Sequence, residues 1–121
     1  MKNIDNLKDD VWQKGITVEG YNPDLYRQDV CGAWIMYSEY GKTSVFGWEI
    51  DHIYPKSKGG DENAKNLRPM HHRNYVSKAD DYPVYTAVVT AENNRNIEKI
   101  AKFTVSESKQ SELRDLYHIE S

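Results

Sequence analysis

At 121 residues, with 38% hydrophobic and 12% aromatic side chains, the chain is long enough for one domain with a modest core and too short for two. Nine tyrosines and three tryptophans argue against disorder, and the lack of any apolar run of about 18 residues rules out a membrane span. The net charge of −3 does not advertise a polyanionic partner, and the single cysteine excludes an internal disulfide. The polar start "MKNIDNLKDD" lacks an apolar signal core, so a cytoplasmic protein in a reducing compartment is expected. Cys31 is then read as a small buried hydrophobe.

Residues 1–30 are mixed and turn-rich, and Pro23 in "GYNPDLYRQD" predicts a short helical turn. "AWIMYSEY" predicts a strand, and "YGKTS", with Gly41, a hairpin turn leading into a second strand over "VFGWEIDHI". In that second strand Val45, Trp48 and Ile50 are the candidate core residues. Residues 55–65 form a loop ending in "GGDENAK". "NLRPMHHRNYVSKADD" shows no alternation and predicts a short helix from near Pro69, with Asn66 capping or bracing the junction. "PVYTAVVTA" is a strong strand, "NNRN" a turn and "KFTV" a shorter strand. Thr104 with Glu107 then forms a capping-box pattern before the helix "ESKQSELRDLYHI".

Charge is unevenly spread along this order. Residues 51–78 carry six basic side chains against three acids, a local +3 that leaves −6 for the rest of the chain. A basic loop on an acidic body can focus a polyanion at one place. The loop opens where the second strand ends in the adjacent pair Asp51 and His52. A carboxylate there can supply a hard oxygen ligand to a divalent cation, and an adjacent imidazole can take a proton from water near neutral pH. Asn66 can hydrogen-bond the imidazole and fix its orientation. Trp12, Trp34 and Trp48 are read as core aromatics, and His118 as having no part in chemistry.

The segment "WEIDHIYPKSKGGDENAKNLRPMHHRNYVSK" resembles the HNH endonucleases, the ββα-metal nucleases, in the ordered set Asp-His-Ile, Pro, Gly-Gly, Asn-Leu and a helical Lys. The resemblance covers residues 31–80. It implies an α+β fold with a ββα-metal core of hairpin plus short helix, followed by a C-terminal strand pair and helix over 81–121, all in one domain. It also implies a metal-dependent endonuclease that hydrolyses DNA phosphodiesters, RNA not being excluded. In that reading Asp51 is a metal ligand, His52 the general base and Asn66 the residue that orients His52. The cofactor is a divalent ion, Mg²⁺ first, with Mn²⁺, Ni²⁺ or Zn²⁺ as alternatives.

Two departures from the family pattern stand out. One cysteine cannot build the structural zinc site that many HNH domains carry. The family's helix ligand, His or Asn nine residues after the motif Asn, falls on Tyr75, leaving Asn74 or His71 as the candidate second ligand. Lys56, Lys58, Arg68, Arg73 and Lys78 are the candidate phosphate contacts, Lys78 because the family places a basic residue there. The alternative is a degenerate HNH domain that binds nucleic acid or a protein partner without cleaving, with Tyr75 as the motive. No membrane partner is expected, and a homodimer is admitted.

Overall fold

The computed structural model describes residues 4–119. A 3₁₀ turn at Ile4–Leu7 runs into the short helix α1 (Lys8–Trp12), which buries Val11 and Trp12. Strands β1 (Tyr26–Gln28) and β2 (Trp34–Met36) pair antiparallel, and β2 passes into a 3₁₀ turn at Tyr37–Glu39. Strand β3 (Trp48–His52) pairs with β4 (Leu67–His71), and helix α2 (His72–Lys78) follows β4 without a connecting loop. A third antiparallel pair, β5 (Val84–Glu92) and β6 (Arg95–Thr104), leads into the C-terminal helix α3 (Glu107–Tyr117). The fold is α+β, with three short helices and three two-stranded antiparallel sheets. Among the described residues, no helix is long and apolar enough to cross a membrane.

The hairpin β3–β4 lies between two apolar clusters. Trp48, Ile50 and Leu67 pack with Val11, Trp12 and Ile35, where the Trp12 and Trp48 rings lie 5.3 Å apart. Ile53 and Met70 pack with Cys31, Tyr85, Ala87, Val105 and Leu113. Both faces of the hairpin are therefore covered, so β4 carries a near-continuous buried run rather than a clean alternation. β5 does alternate: Tyr85, Ala87 and Val89 face inward at period two.

Several expectations are met and others are corrected. All three tryptophans are buried, as is Cys31, whose thiol is pushed up to about 12 chiefly by burial. Val45, expected in the core, is 67% exposed, because the second strand begins only at Trp48. The expected pairing of "AWIMYSEY" with "VFGWEIDHI" does not form. β2 pairs with β1 instead, and β3 pairs with β4 across the intervening loop. The segment "NLRPMH" is a strand rather than the start of a helix, since Pro69 sits opposite Ile50 in a two-stranded sheet whose outer edges need no donor from it. The helix starts at His72, capped by His71, whose Nδ1 accepts the Arg73 N–H at 3.1 Å. Pro23 opens a single helical turn, as expected: the Asn22 carbonyl accepts the Leu25 and Tyr26 N–H groups at 3.0 and 2.9 Å, and the Asn22 side chain accepts the Asp24 N–H. β6 is longer than "KFTV" suggested, and α3 is capped by Ser106, which accepts from Lys109 N–H, instead of by Thr104.

Candidate functional site

Asp51 and His52 end β3, and period-two alternation sends them to different surroundings. Asp51 is buried, while His52 keeps its side chain 12% exposed at the mouth of a cleft of about 320 Å³. The cleft is also lined by Pro55 and Lys56 from the loop and by Tyr75, Val76, Ala79 and Asp80 from α2 and its end. Tyr75, nine residues after Asn66, is 39% exposed and lines the same cleft as Asp51 and His52. Burial pushes the Tyr75 hydroxyl above the usual phenol range, and nearby Glu49, Asp51 and Asp80 add to this.

The imidazole is held by a residue that the sequence reading did not single out. His52 Nε2 lies 3.0 Å from a Glu62 carboxylate oxygen. A carboxylate accepts, so Nε2 carries the proton and Nδ1 keeps the lone pair that can take one from water. Lys56 approaches the same carboxylate at 3.8 Å. Glu62 lies only ten residues from His52, inside the "GGDEN" stretch, and an acid within that short loop is the signal that could have found it.

Asn66 does not touch His52. Its side chain is fully buried and holds the loop backbone: Oδ1 accepts the Tyr54 N–H at 2.7 Å, and Nδ2 donates to the carbonyls of Tyr54 and Asp61 at 3.0 and 3.1 Å. The expected orienting role is thus indirect, acting through the loop that carries Glu62. The double glycine serves the same loop. Gly59 has φ of +116°, while a Cβ on Gly60 would come within 1.8 Å of the Tyr54 carbonyl oxygen and 2.9 Å of Asn66 Nδ2. The first glycine is needed for its torsion and the second for the close approach.

The other expected ligands do not gather around Asp51. Asn74 is fully buried and faces β5, where a register shift between Ala87 and Val89 leaves backbone donors unpaired. Its Oδ1 accepts the N–H groups of Val88 and Val89, and its Nδ2 donates to the Val89 carbonyl and to Asp29. His71 is buried as the helix cap, and its Nε2 donates to the Val45 carbonyl at 2.8 Å. Burial lowers this imidazole to about 4. Neither side chain has a free lone pair to offer a metal ion beside Asp51.

Asp51 is instead enclosed by cations. Arg68 Nε donates to Oδ2 at 2.9 Å, and Lys78 Nζ lies 3.4 Å from Oδ1 while donating to the His52 carbonyl at 3.1 Å. The Lys78 side chain has no exposed surface and the Arg68 side chain is 12% exposed, its guanidinium 5.2 Å from the centre of the Tyr85 ring. These two corrections remove both from the candidate phosphate contacts. Lys56, Lys58 and Arg73 remain at the surface, Arg73 pairing with Glu98 at 2.9 Å. Burial lowers the Lys78 ammonium, with Asp51 acting in the opposite sense.

The donor set does not fit the divalent ion that the resemblance implies. Both Asp51 oxygens already face a cation, the helix offers a neutral phenol, and the described residues hold no group of three or more His, Cys, Asp or Glu placed to bind one. A separate and larger cavity, about 600 Å³, is lined by Ile53, Leu67, Pro69, Tyr85, Phe103 and Val105 among others. It shares Arg68 with the Asp51 ion pairs, but neither Asp51 nor His52 lines it; both line the smaller cleft.

A second buried acid was also missed by the sequence reading. Asp29 accepts the N–H groups of Cys31, Ala33 and His71 and the Asn74 amide. Burial pushes its carboxyl up against the pull of these four donors. No family model, curated protein or solved structure matches the chain.

Proposed function

We propose that the chain is a ββα nuclease-type domain that hydrolyses a DNA phosphodiester, with β3, β4 and α2 as its core and His52 as general base. The observation that carries this reading is the His52–Glu62 pair at the mouth of the cleft, which leaves Nδ1 free to accept a proton. Water would lose that proton to Nδ1 as its oxygen bonds to phosphorus, and the P–O ester bond on the opposite side would break, its electron pair leaving with the ester oxygen, which takes a proton from solvent to depart as the alcohol. Beneath the cleft, Asp51 with Arg68 and Lys78 sums to one positive charge, which favours a phosphate over a bare carboxylate. Lys56 lines the cleft and Lys58 is exposed two residues further along the same loop; both would attract neighbouring phosphates.

The test is a gel assay on supercoiled plasmid and on single-stranded DNA, run with EDTA and then with Mg²⁺, Mn²⁺, Ni²⁺ or Zn²⁺. A positioned base is worth about 10²–10⁴ in rate, so His52→Ala should lose cleavage on that scale while keeping its melting temperature and DNA binding. Cleavage by the alanine variant at the wild-type rate would end the proposal. A specific observation favours a second reading: saturation of Asp51 and the phenol at position 75 suit a domain that binds DNA without cutting it. Intact plasmid under every metal condition, with salt-dependent DNA binding retained, would select that reading.

A further inference from the structure

We infer that Arg68 and Lys78 take the electrostatic place of a divalent cation at Asp51, so that the cleft excludes metal. This rests on the phosphodiester reading of the cleft and states what neutralises charge there. Three observations lead to it. The first is position: Lys78 lies three residues after Tyr75 on α2, on the adjoining part of one helix face, and reaches back toward the end of β3. Its ammonium lies between Asp51 Oδ1 and the His52 carbonyl oxygen, two hard oxygen atoms of the kind a metal would use.

The second observation is commitment. Lys78 is fully buried and sits in the last turn of α2, where the helix dipole favours a positive charge. It cannot swing into solvent without unpacking the helix from the hairpin. Arg68 is fixed as well, with Nε on Asp51 and its guanidinium over Tyr85. Its Nη2 is buried without a hydrogen-bond partner, so it keeps donor capacity.

The third observation is charge. One acid with two bases at 2.9 and 3.4 Å from it leaves a surplus of +1, and a divalent ion on Asp51 would raise it to +3 in a poorly hydrated space. Two unit charges 4 Å apart interact by about 4 kcal/mol at an effective dielectric of 20, a factor on the order of 10³ in binding for each like-charge pair. An anion entering the cleft faces the opposite sign.

Calorimetry of the full chain with Mn²⁺ and with Ni²⁺ tests this without relying on activity. Wild type should show no saturable site below millimolar concentration. Lys78→Met and Lys78→Gln should each gain a one-to-one site at least about tenfold tighter, lost again when Asp51→Asn is added. Lys78→Gln keeps a donor for the His52 carbonyl, and a melting curve of each variant confirms folding. The wild-type titration decides even if neither variant folds: a stoichiometric wild-type site abolished by Asp51→Asn overturns the inference. So does a folded Lys78 variant that still binds no ion. Cleavage that requires metal yet still needs His52 would sink this inference and leave the general-base reading standing. Cleavage indifferent to His52 would sink that reading, while the titration still decides the inference.

Discussion

Replacing Asp51 with Asn should be among the most destabilising single changes in this chain, although it alters only one polar atom. In the native protein the carboxylate is the shared counter-ion of Arg68 and Lys78, at 2.9 and 3.4 Å, and all three side chains are buried or nearly so. Neutralising it leaves two cations facing one another with no compensating charge. Breaking a buried ion pair by removing one partner costs about 3–5 kcal/mol. For 121 residues the unfolding entropy is about 0.25 kcal/mol/K at about 2.1 cal/mol/K per residue, so the melting temperature should fall by about 12–20 °C. Scanning calorimetry at pH 7 reads this directly. A companion variant sharpens it: adding Lys78→Met to Asp51→Asn removes one of the two stranded cations and should recover part of the loss, by about 0.5–3 kcal/mol of coupling. A solvated carboxylate waiting for a cation would behave differently, since its neutralisation would leave the melting temperature within a degree or two or raise it. A fall of less than about 4 °C for Asp51→Asn would refute the triad as a structural unit.

Asn66→Ala removes three side-chain hydrogen bonds from a fully buried position and strands the Tyr54 amide. It should cost about 3 kcal/mol in urea unfolding and speed hydrogen exchange at Tyr54 and Gly60, and unchanged exchange at both would show that the loop is held by something else. The His71 imidazole is neutral in the fold down to about pH 4 but titrates near its ordinary 6.5 when unfolded, because burial, and then His72 and Arg73, oppose its charge. The unfolded chain therefore binds more protons between these values, so the stability is present above pH 6.5 and is lost as pH falls toward 4, by about 3 kcal/mol. His71→Asn, which retains a capping acceptor, should flatten that slope in urea titrations at pH 7, 5.5 and 4.5, whereas identical slopes for the two proteins would contradict it.

What the sequence disclosed follows from how local each signal is. The strand "PVYTAVVTA" and the cap-like residues ahead of the last helix are local signals, and β5 and α3 form close to where they predict, with Ser106 as the cap in place of Thr104. The Asp-His pair at a strand end was likewise legible, because adjacent residues carry it. The partner of β3 was not. β4 is covered on both faces and contains Pro69, so it lacks both the alternation and the composition by which a strand is recognised. The fate of Lys78 was hidden for another reason. A lysine is solvated by default, and only the docking of a seven-residue helix onto a strand that ends in an acid turns it inward. Asn74 faces away from Asp51 because a bulge in β5, far along the chain, needs its amide.

The four donors that converge on Asp29 bear on how portable the cleft is. The carboxylate receives backbone N–H groups from the β1–β2 turn and from the end of β4, together with the Asn74 amide of α2, and that amide is also bonded to β5. The strand-strand-helix unit of residues 48–78 is thus sewn at its midpoint to segments before and after it in the chain. Transplanted into another scaffold, or cut out as a peptide, it would lose the acceptor for the His71 amide and leave the bulge donors and Asn74 without each other. Its chemistry cannot be exchanged as a cassette: a chimera that carries this cleft must carry the Asp29 turn and the first half of β5 with it.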